Sequence, residues 1–220
     1  IVFDEGVSNI VLTSSLDIAV PLGVNINGTF NNGAPRVVIR ATNSGFTGGS
    51  SYCNEPTGNP ALINIYSANT RLAGLSIVGS PGNAIQVVSD SLFMPTGVDN
   101  VLIENNFIGT DSRLGVDLSE RNLGHGICVQ ARDLDISNTH IQGNIVVNNA
   151  LDGIRIQGIY DSNLSAGAAS PLLYHINNNL IGNLNGNDQD PITGNRYSGI
   201  TLKNTFYLTP ATIDHNIITN

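Results

Sequence analysis

Tryptophan is missing from this chain, methionine occurs once, and aromatic residues make up only 5% of it. Aromatic faces commonly supply the platforms on which sugars stack, so their scarcity weakens a reading as a carbohydrate-cleft enzyme. Charge is scarce too: 12% of residues are charged, with 17 acids against 9 bases and a formal net charge of −8. A single lysine, Lys203, is among those bases. A polyanion-binding surface displaces counterions with clustered Lys and Arg, which argues against nucleic acid and anionic membrane surfaces as partners. No apolar run approaches the roughly 20 residues that span a bilayer. No segment holds a 3.6-residue apolar period between caps, so crossover helices and βαβ units are not supported. There is no Gly-x-Ser-x-Gly elbow and no Walker-type loop. The two cysteines, Cys53 and Cys128, are too few for a disulfide framework; they form one bridge in an oxidising compartment or stay as two thiols. No secretory leader is visible. Ile1-Val2-Phe3 already reads as a strand, and Ile217-Ile218-Thr219-Asn220 breaks off inside a repeating pattern, so a section of a longer chain is expected.

What is present is Val, Ile, Asn, Thr and 24 glycines, a mixture suited to short strands joined by tight turns. At 220 residues the chain is long enough for one domain with a substantial core. Two interleaved patterns recur. The first is a strand that bends at an Asn: Val101-Leu102-Ile103-Glu104-Asn105-Asn106-Phe107-Ile108, then His140-Ile141-Gln142-Gly143-Asn144-Ile145-Val146. It returns as His175-Ile176-Asn177-Asn178-Asn179-Leu180-Ile181 and Thr212-Ile213-Asp214-His215-Asn216-Ile217-Ile218. The aligned asparagines lie 38, 35 and 37 residues apart. A degenerate earlier copy, Leu72-Ala73-Gly74-Leu75-Ser76-Ile77, has Leu75 in place of the Asn. The second pattern is a small residue before alternating apolar positions: Ala84-Ile85-Gln86-Val87, Gly126-Ile127-Cys128-Val129, Gly153-Ile154-Arg155-Ile156 and Gly199-Ile200-Thr201-Leu202.

Alternation of period two means strand, and short strands recurring at a near-constant interval mean a solenoid. Each coil then stacks on the last at about 4.8 Å. Equivalent residues form ladders: Ile85, Ile127, Ile154 and Ile200 inside, and the asparagines at a sharp bend. There a side-chain amide donates to the next coil and accepts from the previous one, each bond contributing roughly 1 kcal/mol net. Asn also tolerates the left-handed backbone of a tight bend. A β-sandwich with ordinary hairpins is the competing architecture, but its turns do not recur in phase with a second motif. The expected fold is all-β, a right-handed parallel β-helix of about five to six coils with loop insertions. Residues 1–60 form its N-terminal coils and 61–220 its repeat coils.

Over residues 63–220 the paired motif resembles the parallel β-helix repeat of the pectin-lyase-like superfold. Asn106-Phe107-Ile108-Gly109-Thr110-Asp111 is similar to large secreted bacterial repeat proteins of that class, and the start, through Ile26-Asn27-Gly28, resembles their N-terminal region. The resemblance implies a secreted or cell-surface location. It also implies that coils this long carry insertions, at 43–60, 111–124 and 183–197. Loops on a rigid scaffold commonly carry function.

Lyases and epimerases of that superfold abstract a proton beside a sugar carboxylate, which needs a base and a neutralising charge. Stacking the second pattern puts His125, Asp152 and Ser198 in one column. Outward columns hold Gln86, Cys128, Arg155 and Thr201, then Val88, Gln130, Gln157 and Lys203. His125, Asp152 and Arg155 are therefore the candidate catalytic cluster, with Gln130, Gln157, Tyr197 and Lys203 as candidate ligand contacts. Tyr160, Phe206 and Tyr207 are further candidate platforms. The plainer explanation is solvation, since outward positions on a solenoid face water. Asn187, Asp188 and Asp190, with Asn185, are hard oxygen ligands suited to Ca²⁺, though no Glu closes the loop as in an EF-hand. No other cofactor is called for. His125, His140, His175 and His215 do not fall at zinc spacing. His140 and His175 occupy equivalent positions and are expected to stack as a surface ladder.

Two functions follow. One is a structural or adhesive extracellular module of a bacterial protein, binding carbohydrate or assembling end to end, with a polysaccharide or neighbouring copies of itself as partner. The alternative is a polysaccharide lyase or epimerase acting on an acidic polymer.

Overall fold

The computed structural model describes residues 1–42, 46, 53, 58–90, 92–93, 96–111, 117–132, 136–158, 174–182, 194–203 and 212–219. Their strands fall into three parallel sheets, each pairing a strand with its counterpart one coil away, and one small antiparallel hairpin, Phe30–Asn31 with Ala34–Pro35. The first sheet holds Asn9–Leu12, Val37–Ala41, Leu75–Val78, Phe107–Ile108, Ile145–Val147, Leu180–Gly182 and Ile217–Ile218. The second holds Leu16–Ile18, Ile63–Ile65, Ile85–Ser89, Ile127–Ala131, Ile154–Gln157 and Ile200–Lys203. The third holds Asn25–Asn27, Arg71–Ala73, Val98–Glu104, Ile136–Gln142, Tyr174–Asn177 and Thr212–Asp214. The chain visits the sheets in the same order on six successive passes and opens a seventh at Ile217–Ile218. This is a parallel β-helix. Among the described residues the helical structure is one 3₁₀ turn, Leu118–Glu120, and no helix is long and apolar enough to cross a membrane.

Register follows the alternation. Ile63, Ile85, Ile127, Ile154 and Ile200 pair in sequence through the second sheet. Leu72, Ile103, Ile141 and Ile176 do so in the third, and Ile77, Ile108, Val146 and Ile181 in the first. These ladders meet in a single core. Each fully buried aliphatic side chain contributes roughly 1.5–3 kcal/mol against exposure. The apolar residues after the ladder asparagines do not join it. Phe107, Ile145 and Val147 form a separate outer cluster with Ala34 and Leu180 against it, and Phe30 meets Phe107 edge-on.

The four asparagines do stack. Nδ2 of Asn106, Asn144 and Asn179 donates to Oδ1 of the next rung at 3.1, 3.0 and 2.9 Å. That same oxygen accepts the backbone N–H of the earlier Asn. Nδ2 also donates inward to Leu72, Ile103, Ile141 and Ile176 carbonyls. Leu75 closes the series, its N–H donating to Asn106 Oδ1 at 3.1 Å. The left-handed corner is one residue earlier than the ladder, contrary to expectation: Gly74, Asn105, Gly143, Asn178 and His215 carry φ of 65, 53, 65, 55 and 50°. The chain turns at that residue, so the following amide can point into the wall.

A second ladder runs at the corner between the first and second sheets. Ser80 N–H donates to Asn122 Oδ1, Asn122 Nδ2 to Asn149 Oδ1, and Asn149 Nδ2 to Asn195 Oδ1, at 2.9, 2.9 and 2.7 Å.

Asn144→Ala tests the first ladder. It leaves the buried Asn106 N–H and Ile103 carbonyl without these partners, and unsatisfied buried groups cost about 1–3 kcal/mol apiece. The expected loss is about 2 kcal/mol by urea unfolding, with a smaller loss for Asn216→Ala on the half-buried last rung. An unchanged urea midpoint for Asn144→Ala would refute the ladder's contribution.

Candidate functional site

Corner, small residue and strand together position the candidate cluster. After the corner residue (Ser80, Asn122, Asn149 or Asn195) the chain reaches Asn83, His125, Asp152 or Ser198, then Ala84, Gly126, Gly153 or Gly199, and enters the second sheet. Backbone bonds lock these rungs: Ala84 N–H donates to the His125 carbonyl, Gly126 to Asp152 and Gly153 to Ser198, at 2.9, 3.0 and 2.8 Å. The small residue is required by space. A Cβ on Gly126 would lie 2.6 Å from Val146 Cγ1 and 2.7 Å from the Gly153 carbonyl oxygen.

The structure brings His125, Asp152 and Arg155 together as the stacking implied. The backbone N–H of Asp152 donates to His125 Nδ1 at 3.0 Å. Nδ1 is thus an acceptor, and the neutral ring carries its proton on Nε2. Asp152 Oδ2 lies 3.3 Å from that same Nδ1 and 3.3 Å from Arg155 Nη1, while Oδ1 accepts the Ser198 N–H at 3.1 Å. Arg155 Nε donates to Gln157 Oε1 at 3.0 Å. Burial pushes the His125 pKa down to about 4; the Asp152 carboxylate opposes this and the Arg155 guanidinium adds to it. The ring is therefore neutral at pH 7, and its approach to Asp152 is not an ion pair. His125 and Asp152 are 2% and 4% exposed. Arg155 is the member that reaches water.

This cluster is one end of a longer polar chain. His125 N–H donates to Asn83 Oδ1 at 2.8 Å, Asn83 Nδ2 to Gln86 Oε1 at 2.6 Å, Gln86 Nε2 to Asn64 Oδ1 at 2.6 Å, and Asn64 Nδ2 to Asp17 Oδ1 at 2.7 Å. From Asp17 to Ser198 it crosses one rung of every coil. Asn83 and Asn64 carried no sequence signal that singled them out.

The outward columns pair as read: Gln86, Cys128, Arg155 and Thr201, and beside them Val88, Gln130, Gln157 and Lys203. Solvation does not explain them all, because Gln86, Cys128, Gln130 and Gln157 are buried. Cys53 sits over this face, disulfide-bonded to Cys128 with Cα atoms 6.4 Å apart, and its N–H donates to Gln130 Oε1. Tyr66 stacks on Phe93 with ring centroids 4.2 Å apart, and packs with Val88. Of the other candidate contacts, Lys203 is exposed and Tyr197 is 67% exposed. Asn185, Asn187, Asp188 and Asp190 lie outside the described residues, as do Tyr160, Phe206 and Tyr207.

The insertion at 111–124 is tied down at its end. Asp117 caps the 3₁₀ turn through Ser119, Glu120 pairs with Arg40 at 3.3 Å, and Arg121 Nε donates to Asn148 Oδ1 at 3.0 Å. On the third sheet, His140 and His175 stack with ring centroids 4.6 Å apart. Burial holds the His140 pKa below the ordinary imidazole value, and His175 adds to this. Among the described residues, no three His, Cys, Asp or Glu side chains are grouped to hold a metal ion.

No protein-family model, no curated protein and no solved structure matches this chain.

Proposed function

We propose that the chain is a rigid structural or adhesive module of an extracellular or cell-surface protein, of the kind implied by its resemblance to secreted bacterial β-helix repeat proteins. The observation that carries this reading is the condition of the would-be acid–base cluster. His125 Nδ1 accepts a backbone N–H, both Asp152 oxygens have close polar neighbours, and both side chains are shut away from solvent. A general base must come within hydrogen-bond reach of the proton it removes, and a polymer cannot approach groups this buried. Their bonds instead join one coil to the next. The Cys53–Cys128 bridge fits an oxidising compartment. Polysaccharide contact along the outer face, through Tyr197 and Lys203, and end-to-end association of copies belong to the same reading.

A specific observation keeps the lyase reading in play: Arg155, partly exposed, stands 3.3 Å from Asp152 and beside His125. Incubation with pectate, alginate and chondroitin, with and without Ca²⁺, separates the two. No rise in ultraviolet absorbance from unsaturated uronate is expected on any of them. Unsaturated product that vanishes in Arg155→Ala would overturn the structural reading.

A further inference from the structure

On the outer face of the third sheet, one column carries Leu102, His140, His175 and Thr212 on consecutive coils, and the next carries Glu104, Gln142, Asn177 and Asp214. The polar pairing in the second column stops partway. Glu104 is engaged on both oxygens, accepting from Arg71 Nε at 2.7 Å and from Gln142 Nε2 at 2.9 Å. Beyond it, Asn177 Oδ1 and Asp214 Oδ1 are shielded from water and accept no hydrogen bond. Such acceptors cost free energy unless a donor or a cation meets them. Beside them stand two imidazoles on paired strands, their planes 17° apart. Both rings are half-buried and so remain accessible from solvent.

We propose that His140 and His175 form a surface site for a borderline transition-metal dication, with Cu²⁺ bound most tightly and Ni²⁺ and Zn²⁺ less so. Three physical points support it. Imidazole nitrogen is the ligand these ions share, and Cu²⁺ heads their affinity order. A metal lies in the plane of the imidazole it binds, so the two half-buried rings, stacked 4.6 Å apart on adjacent rungs, turn out of their stack about the side-chain torsions to bring one nitrogen each to the roughly 2.0–2.1 Å that a metal–imidazole bond needs. Asn177 Oδ1, two residues beyond His175 on the same face and without a donor, then supplies a hard oxygen, and water completes the shell. The histidines stand 35 positions apart, which hides the pair from any local motif.

Calorimetric titration of the full chain with CuCl₂, and separately with NiCl₂ and ZnCl₂, tests this. One equivalent is expected to bind, and His140→Ala or His175→Ala should each weaken Cu²⁺ by at least about tenfold, since even groups outside the ligand shell change metal affinity by 10- to 100-fold. His215→Asn, which installs the residue found at the same corner in Asn105 and Asn178, should leave affinity unaltered. Electron paramagnetic resonance of the Cu²⁺ complex should show two coupled imidazole nitrogens. Wild-type affinity in both histidine variants, or coupling to a single nitrogen, would overturn the proposal. Far-ultraviolet circular dichroism on each variant ensures that lost binding is not lost folding.

Discussion

Removing the Cys53–Cys128 bridge, by Cys53→Ala with Cys128→Ala, is expected to lower the free energy of unfolding by about 4 kcal/mol through the chain-entropy effect of the loop it closes. The two residues are 75 apart in sequence, so the bridge encloses two whole coils and restricts the unfolded chain severely. Its folded-state contribution is smaller and local: it holds the Cys53 N–H on Gln130 Oε1 and covers the outward face at Cys128. Two measurements separate these contributions. If the effect acts on the unfolded chain, urea unfolding shifts to a lower midpoint and its slope steepens, because the unlinked chain exposes more surface. Native circular dichroism should stay the same. In a solenoid each coil leans only on its neighbours, so amide exchange should quicken most in Ile63–Ile65, Ile85–Ser89 and Ile127–Ala131. An unchanged urea midpoint in the double variant would show that the bridge contributes nothing.

The solenoid was legible because its asparagines lie in phase with a second motif, and the registers read from that phase hold strand by strand. Two details were not. The left-handed residue was assigned to the ladder Asn, since Asn105-Asn106 and Asn178-Asn179 each offer two candidates. Gly74 before Leu75 and Gly143 before Asn144 decide between them: glycine marks the residue that turns, and the residue after it faces inward. The second ladder was also present in the letters, as an Asn five positions before Ile127, Ile154 and Ile200. It was hidden because its first rung is Ser80 and its middle rung is half of another Asn pair, Asn148-Asn149.

The candidate cluster was legible in position and not in environment. Stacking the coils brought His125, Asp152 and Arg155 together correctly, because register alone determines which residues are neighbours. Alternation also assigns a side chain to the outer face, but it does not say what lies over that face. Gln86, Gln130 and Gln157 point outward and are buried all the same. Nor does residue type reveal the direction of a hydrogen bond. That His125 Nδ1 accepts from the Asp152 backbone, rather than donating to its carboxylate, is visible only in the structure.

Gly109→Ala is expected to cost roughly 3–5 kcal/mol, or to prevent folding, by combining backbone strain with overpacking. Gly109 has φ +88° and sits where the Phe107–Ile108 strand leaves the first sheet. Its N–H donates to the Ile77 carbonyl on one neighbouring coil at 2.9 Å, and its carbonyl accepts from Asn148 Nδ2 on the other at 3.0 Å. A Cβ would fall 1.8 Å from the Val147 carbonyl oxygen. That oxygen is backbone within a sheet, so the clash is relieved only by separating two coils, which breaks the bonds that hold Gly109 between them. Gly33→Ala supplies the comparison. Gly33 has nearly the same φ, +82°, and nothing within 4 Å of its Cβ position, so it isolates the conformational strain from the steric clash. Strain of this kind costs on the order of 1–3 kcal/mol. If thermal and urea unfolding give equal losses for the two variants, coil-to-coil packing at Gly109 is looser than the stacking requires, and the rigid wall inferred from the ladders fails at that rung.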